Sequence, residues 1–281
     1  MKLITWNIQW GRGMDGRVDL ARVVAHAKSM ADFDVLCVQE VSDNFPELEA
    51  NDGADQFAAL ASLLPGYTAI EGVALDIAGV SGCRKRFGNM ILSRYPVEQV
   101  LRYTLPWVAD STRNMPRMMI EATVVTPTGP IRVMTTHLEY SSGKLRRAQV
   151  EGIREAHRNA CERAAHPRED GPGTYGIYPT SKSGILVGDF NVVPEDPVKQ
   201  RVSAPFVEDY TPALLDAWQV LHPEEPHPNS FCVYDQTYGP PHCCDFVFVT
   251  EDLKPRLRSV SYDVVTQVSD HQPVLVEWDE G

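Results

Sequence analysis

Eight short apolar runs of strand length constrain this chain more than any other feature. They are LITWNI (3–8), DVLCVQ (34–39), MILSRY (90–95), MIEATVV (119–125), IRVMTTHL (131–138), GILVGD (184–189), DFVFV (245–249) and PVLVEW (273–278). Most are rich in β-branched or aromatic residues and bounded by Gly, Pro, Asp or Asn, as β-strands are. Elsewhere the apolar spacing switches to the helical period. Phe57, Leu60, Ala61 and Leu64 follow i, i+3, i+4, i+7 and are stopped by Pro65-Gly66. Val18, Ala21, Val24 and Ala25 also recur at a helical spacing, and Leu145, Ala148, Gly152, Ala156 and Ala160 outline a longer helix ending near Pro167. Several consecutive strands, over 90–138, have no helix between them. The expectation is a mixed α/β chain with at least eight strands and a substantial antiparallel component.

No internal repeat or low-complexity block breaks the pattern. Segments 72–87, 165–183 and 222–242 are predicted to be loops. The second is the richest in Gly and Pro, yet strands continue in the same style on both sides, so it reads as a surface insertion. Residues 1–281 are therefore expected to form one domain. Apolar residues at 43% and charged residues at 23% allow a sizeable core. The net charge of -12 argues against a general DNA-coating protein. It leaves room for a nuclease that draws phosphates to bound cations. The first residues lack a signal-peptide core, and no apolar run reaches the roughly 18 residues of a membrane span. A cytoplasmic location, no membrane insertion and no obligate protein partner are expected. The cysteines at 37, 83, 161, 232, 243 and 244 show no repeated CxxC pair and are expected to be reduced.

The strand ends carry the chemistry. LITW runs into Asn7, DVLCVQ into Glu40, VMTT into His137, and GILVG into Asp189 with Asn191 two residues on. Asp245 opens DFVFV, while Asp270 and His271 precede PVLVEW. One polar residue at a strand end is ordinary; this many imply that one edge of a sheet assembly gathers polar groups. Carboxylates and amides are hard donors suited to Mg²⁺ or Mn²⁺. His137 and His271 can move protons near neutral pH. Together these are the parts that hydrolysis of a phosphate ester requires. The run HCCD at 242–245 suggests a soft-metal site instead, but adjacent residues on a strand face opposite ways and chelate poorly.

The motifs TWNIQ (5–9), LCVQE (36–40), FGNMILSRYP (87–96), TTHLE (135–139), VGDFNVVP (187–194), CDFVFV (244–249) and SDHQPV (269–274) resemble, in order, those of the endonuclease/exonuclease/phosphatase superfamily. This DNase I-like superfamily includes nucleases, sphingomyelinases and inositol-phosphate phosphatases. The resemblance spans the chain. It implies a four-layer α/β/β/α sandwich: two mixed, mostly antiparallel sheets flanked by helices. It implies a metal-dependent hydrolase acting on phosphate esters, with nucleic acid the leading substrate class. The alternatives are a small or lipid phosphate ester, or a non-catalytic binding module of the same fold.

Residue by residue, the resemblance assigns Glu40, Asp270 and Asn7 to the metal. It pairs His271 with Asp245, puts Asp189 near the attacking water and Asn191 on a phosphoryl oxygen, and sets His137 near the leaving group or a non-bridging oxygen. Arg117 stands where relatives often place a phosphate-contacting or structural arginine. Many relatives carry an arginine two positions before the late aspartate; here that position is Cys243. Arg84-Lys85-Arg86 is the densest basic run, either a solvated loop or a phosphate patch. Trp107, Tyr175, Tyr178, Tyr234 and Tyr238 are candidate walls of a substrate groove.

Overall fold

The structure, a computed structural model, describes residues 1–280, the side chain of Ser81 excepted. One sheet is built from Lys2–Asn7 (β1), Val35–Asp43 (β2), Thr68–Ala78 (β3), Arg84–Ser93 (β4), Leu257–Tyr262 (β11) and Val274–Trp278 (β12). Its order is β11-β12-β1-β2-β4-β3. The other is built from Val97–Thr104 (β5), Met118–Thr126 (β6), Gly129–His137 (β7), Gly184–Asp189 (β8), Leu214–Asp216 (β9) and Asp245–Thr250 (β10), in the order β5-β6-β7-β8-β10-β9. Only the pairs β1–β2 and β7–β8 are parallel among these neighbours.

The sheets pack face to face because alternate residues of their inner strands are apolar on both sides. Leu3, Val35, Cys37 and Ile91 meet Ile120, Ala122, Val133, Ile185, Val187 and Val247 in the central core. The residues between them point outward. Ile4, Trp6, Leu36, Val38, Met90 and Leu92 are covered by Leu20–Met30 (α1) and Gln56–Leu63 (α2). Met119, Met134, Leu186, Phe246 and Phe248 are covered by Gly143–Ala165 (α3) and Pro197–Val202 (α4). Helix, sheet, sheet, helix is thus the period-2 pattern read in three dimensions. The short helix Ala217–Leu221 (α5) follows β9 directly. Side-chain caps start the helices: Asp19 accepts from Arg22 N, Asp55 from Ala58 N, Ser142 from Leu145 N and Asp196 from Val198 N.

Two expectations change, for 72–87 and for the basic run, while segment 165–183 is irregular and largely exposed as expected. Segment 72–87 is not a loop but most of the β3–β4 hairpin. Its outer half is largely exposed and is interrupted by Gly79 and Gly82, which breaks the strand signal. Segment 165–183 joins the far end of the sheet: Arg132, early in β7, reaches Ser181 O and Lys182 O. The Arg84-Lys85-Arg86 run opens β4, and acids neutralise it. Arg84 pairs with Asp76, Lys85 with Glu47, and Arg86 with Asp43, Asp55 and Glu71.

Candidate active site

The parallel register of β7 and β8 sets His137 opposite Asp189, and the antiparallel register of β8 and β10 sets Asp189 opposite Asp245. Three ionisable groups therefore end three adjacent strands side by side. Gly188 makes the approach possible. Its φ is +137°, and a Cβ there would lie 1.9 Å from Thr136 O. The first sheet contributes Asn7 from the end of β1 and Glu40 from a bulge in β2, where the register with β4 shifts between Gln39 and Val41. Glu40 has φ 62°, the left-handed region that a glutamate seldom adopts, and this turns its carboxylate into the cleft. Gln39, the residue before it, ties the two sheets beneath the site. Its Nε2 donates to Thr5 Oγ1 at 3.2 Å and to Thr135 Oγ1 at 2.9 Å.

A chain of close contacts then crosses the site. Asp245 Oδ2 lies 2.9 Å from His271 Nδ1. On the other edge of the ring, His271 Nε2 lies 3.7 Å from Asp189 Oδ2. Asn7 Nδ2 donates to Asp189 Oδ2 at 3.0 Å and to Glu40 Oε1 at 3.2 Å. The Asn7 Oδ1 accepts from Gln9 N at 3.1 Å. His137 Nε2 stands 3.4 Å from Asp189 Oδ2, with Nδ1 3.9 Å from Glu40 Oε1. Asp270 Oδ2 accepts from Gln9 Nε2 at 2.6 Å. Asn191, at φ 50°, donates its backbone N–H to Asp189 Oδ1 and its Nδ2 to Leu138 O. Thus Asn7, Glu40, His137, Asp189, Asn191, Asp245, Asp270 and His271 are brought together.

Burial and like charge set the protonation. Burial, with the Asp270 charge beside it, pushes Glu40 up to about 7. Burial and the Arg117 guanidinium push His137 down to about 3, so it is neutral at physiological pH. For His271 burial opposes the charged form, but Asp245 and Asp189 outweigh it and hold its pKa well above the ordinary value. For Asp189 burial is likewise outweighed by His271, His137 and the Asn7 amide, which keep it below its usual range.

The cleft above these groups has a volume of about 300 Å³. Its walls include Trp10, Phe87, Tyr140, Phe231 and Tyr238, with Arg113 and Arg117 on the cationic side. Arg117 is buried and pairs with Glu139 at 3.4 Å, so it joins the site through an ion pair. Of the five loop aromatics singled out in the sequence, Tyr238 lines this cleft; it packs edge-on against Tyr140 and parallel to Phe231. None of the described lining residues comes from 165–183, so that segment is not a cleft wall. Phe231 stacks on His271 at 4.4 Å between ring centroids. No sequence signal marked Phe231 or Ser230, because each acts from a loop outside a strand end; Gln9 closes the TWNIQ motif but has no role of its own in the resemblance.

All six cysteines are free. Cys243 is buried in the outer core. Cys244 lies closer to the chemistry than its neighbour, with Sγ 3.5 Å from Asp245 Oδ2 and 3.9 Å from His271 Nδ1. Ligand atoms of Asp189, Cys244 and His271 fall within 4.8 Å of one another. The thiol, however, sits at the Nδ1 edge of the ring and Asp189 at the Nε2 edge, so no single ion meets all three head-on. Burial also raises the Cys244 pKa well above its ordinary value, which keeps the sulfur protonated and a poor ligand.

A sequence model described as the Endonuclease/Exonuclease/phosphatase family matches residues 4–271. No curated protein matches the chain. Solved structures do. An endonuclease/exonuclease/phosphatase from Beutenbergia cavernae DSM 12333 superposes with a TM-score of 0.67 at 23% identity, over 98% of this chain and 70% of that one. D. rerio TDP2 in complex with single strand DNA product gives 0.63 at 16% identity, over 99% and 98% of the two chains. The mannosyl-6-phosphatase Bt3783 from Bacteroides thetaiotaomicron VPI-5482 gives 0.62 at 17%, over 99% of each. At these identities the likeness concerns the fold. Among the described residues no helix is long and apolar enough to cross a membrane.

Proposed function

Because the chain belongs to the endonuclease/exonuclease/phosphatase family, we propose that it hydrolyses phosphodiester bonds with the help of Mg²⁺ or Mn²⁺. The observation that carries this reading is the run of contacts from Asp245 through His271, Asp189 and Asn7 to Glu40, which draws on both sheets. The donor set fits such a cation. Glu40 and Asp270 are hard oxygen donors close enough for one charge to raise the other's pKa. Neither forms an ion pair with an arginine or lysine among the described residues. Asn7 holds Glu40 and Asp189 apart through its amide and completes the cradle. When bound, the cation supplies positive charge to the phosphoryl oxygens and the leaving oxygen.

The chain's own groups then divide the work. Asp245 fixes the His271 ring by its Nδ1, which turns Nε2–H toward the cleft as a donor to a phosphoryl oxygen. Asp189, ionised, is placed to orient the attacking water. Asn191 spends one amide hydrogen on Leu138 O and keeps the second for the substrate. Neutral His137 offers one N–H and one lone pair beside the leaving group. Arg117, its charge paired with Glu139, lines the cleft as a donor for a phosphoryl oxygen.

Nucleic acid remains the first substrate class: the aromatic walls suit stacking of unpaired bases, and TDP2, of the same fold, has been captured with single-stranded DNA product. A small or lipid phosphate ester is the second reading. Acids neutralise Arg84, Lys85 and Arg86, which removes the clearest basic track for a long polyanion. Hydrolysis should be measured with Mg²⁺ or Mn²⁺, against EDTA, on plasmid DNA, single-stranded DNA, RNA, sphingomyelin, an inositol phosphate and bis(4-nitrophenyl) phosphate. EDTA-sensitive cleavage of single strands supports the first reading. Cleavage confined to the small esters moves the substrate to the second. No cleavage of any member contradicts the proposal. A cytoplasmic location belongs to this reading as well.

A further inference from the structure

We infer that Ser230 is a positioning residue that aims Asp245 at His271. Ser230 lies in the 222–242 segment, outside every strand-end motif, and is fully buried. Its Oγ accepts from Cys244 N at 3.0 Å and from Asp245 N at 3.1 Å. Two backbone N–H groups thus occupy both lone pairs of the hydroxyl. Its hydrogen is left to donate to Asp245 Oδ2 at 2.7 Å; the other acceptor in reach is Cys244 Sγ, at 3.9 Å. The hydroxyl rotor is therefore set by its surroundings.

This matters because Asp245 is held along one oxygen. Oδ2 receives both Ser230 Oγ–H and His271 Nδ1, whereas Oδ1 is buried with no hydrogen-bond partner. Without the Ser230 donor, only His271 and the weak Cys244 thiol, 3.5 Å from Oδ2, would favour the observed rotamer over one that offers Oδ1. Ser230 is itself anchored by the backbone. Its N donates to His242 O at 2.9 Å, and Gln272 N, next to His271, donates to Ser230 O at 2.7 Å. The segment therefore clamps the start of β10 to the residues around His271, and Phe231 stacks on the ring from the next position.

The inference rests on the proposed role of Asp245 and His271, and the test separates the two. The probe is bis(4-nitrophenyl) phosphate with Mn²⁺, read as kcat and KM for Ser230→Ala, Ser230→Thr, Asp245→Asn and the Ser230→Ala/Asp245→Asn double variant. Ser230→Ala is expected to lower kcat by about 10- to 100-fold with KM within about twofold. Ser230→Thr, which keeps the hydroxyl, is expected to recover most of the rate. In the Asp245→Asn background the Ser230→Ala change should cost no more than about twofold, the non-additivity of groups that act as a unit. A hydroxyl that serves packing alone gives the same fold-loss in both backgrounds, and that result overturns the inference. So does an unchanged kcat for Ser230→Ala. If Ser230→Ala does not fold, Ser230→Cys, with a weaker donor, takes its place under the same criteria. Full activity of Asp245→Asn would sink the proposed dyad; a slow Asp245→Asn beside a fast Ser230→Ala would sink only the role of Ser230.

Discussion

Asp245 opens β10 of one sheet and His271 stands just before β12 of the other, yet Nδ1 and Oδ2 meet at 2.9 Å in the floor of the cleft. The contact fixes which ring nitrogen faces the substrate. Asp245→Asn keeps the shape but removes the carboxylate that accepts from Nδ1–H and holds the ring protonated on both nitrogens, so the imidazolium loses its support. A fall in kcat of about 10²- to 10⁴-fold is expected, with KM changed far less. Steady-state kinetics and a thermal melt on the same sample check this. A parallel loss of folding would make the aspartate structural.

Glu40 gives a pH signature with a definite sign. Its pKa stands near 4.5 in an unfolded chain and about 7 in the metal-free fold, so the fold holds the extra proton. Stability is then highest at low pH and falls as pH rises through that window, by at most about 3 kcal/mol. Glu40→Gln removes the ionisation. Metal-free Glu40→Gln should therefore match the parent near pH 5 and exceed it in melting temperature near pH 8. Mn²⁺ affinity, which needs the carboxylate, should weaken in the parent as pH drops below about 7. Calorimetry at pH 6 and pH 8 reads this directly; equal affinities would contradict it.

Arg117 and Glu139 form a buried pair at the side of the cleft. Glu139 Oε2 also accepts from Met115 N, and Oε1 from Ser141 N. Glu139→Ala strands a guanidinium and two N–H groups at once. A loss of about 3–5 kcal/mol is expected from the buried charge alone. Urea denaturation measures it, and a change below about 1 kcal/mol would mean that water already solvates the arginine.

Gly188 admits no side chain. Gly188→Ala places a methyl 1.9 Å from Thr136 O on a backbone at φ +137°. Destabilisation of about 4 kcal/mol or more is expected, since the β7–β8 register itself must open. A soluble, fully active alanine variant would show that the two strands can separate without disturbing His137 and Asp189.

The sequence runs that announced strands correspond to β1, β2, β4, β6, β7, β8, β10 and β12, the inner strands of the two sheets. Both of their faces are buried, so their apolar signal is nearly continuous. The four strands at the sheet edges are β3, β5, β9 and β11. VEQVLRYT and LRSVSY show why they were silent: part of each strand meets solvent and carries charge. The outer half of β3 went further and read as a loop. The site follows the same logic. Residues that end inner strands, such as Asn7 and Asp189, stand out against the apolar run before them. Ser230 and Phe231 arrive through a loop whose path depends on tertiary contacts, among them the buried pairing of Asp216 with His227 and Lys199. No local pattern carries that information.

The most direct measurement combines Mn²⁺ binding and bis(4-nitrophenyl) phosphate hydrolysis for the parent chain and Glu40→Ala. The account predicts an EDTA-sensitive rate in the parent, a Glu40→Ala variant that folds, and loss of both tight Mn²⁺ binding and turnover in that variant. A Glu40→Ala protein that binds Mn²⁺ as the parent does and turns over at full rate would contradict the metal-assisted site at its centre.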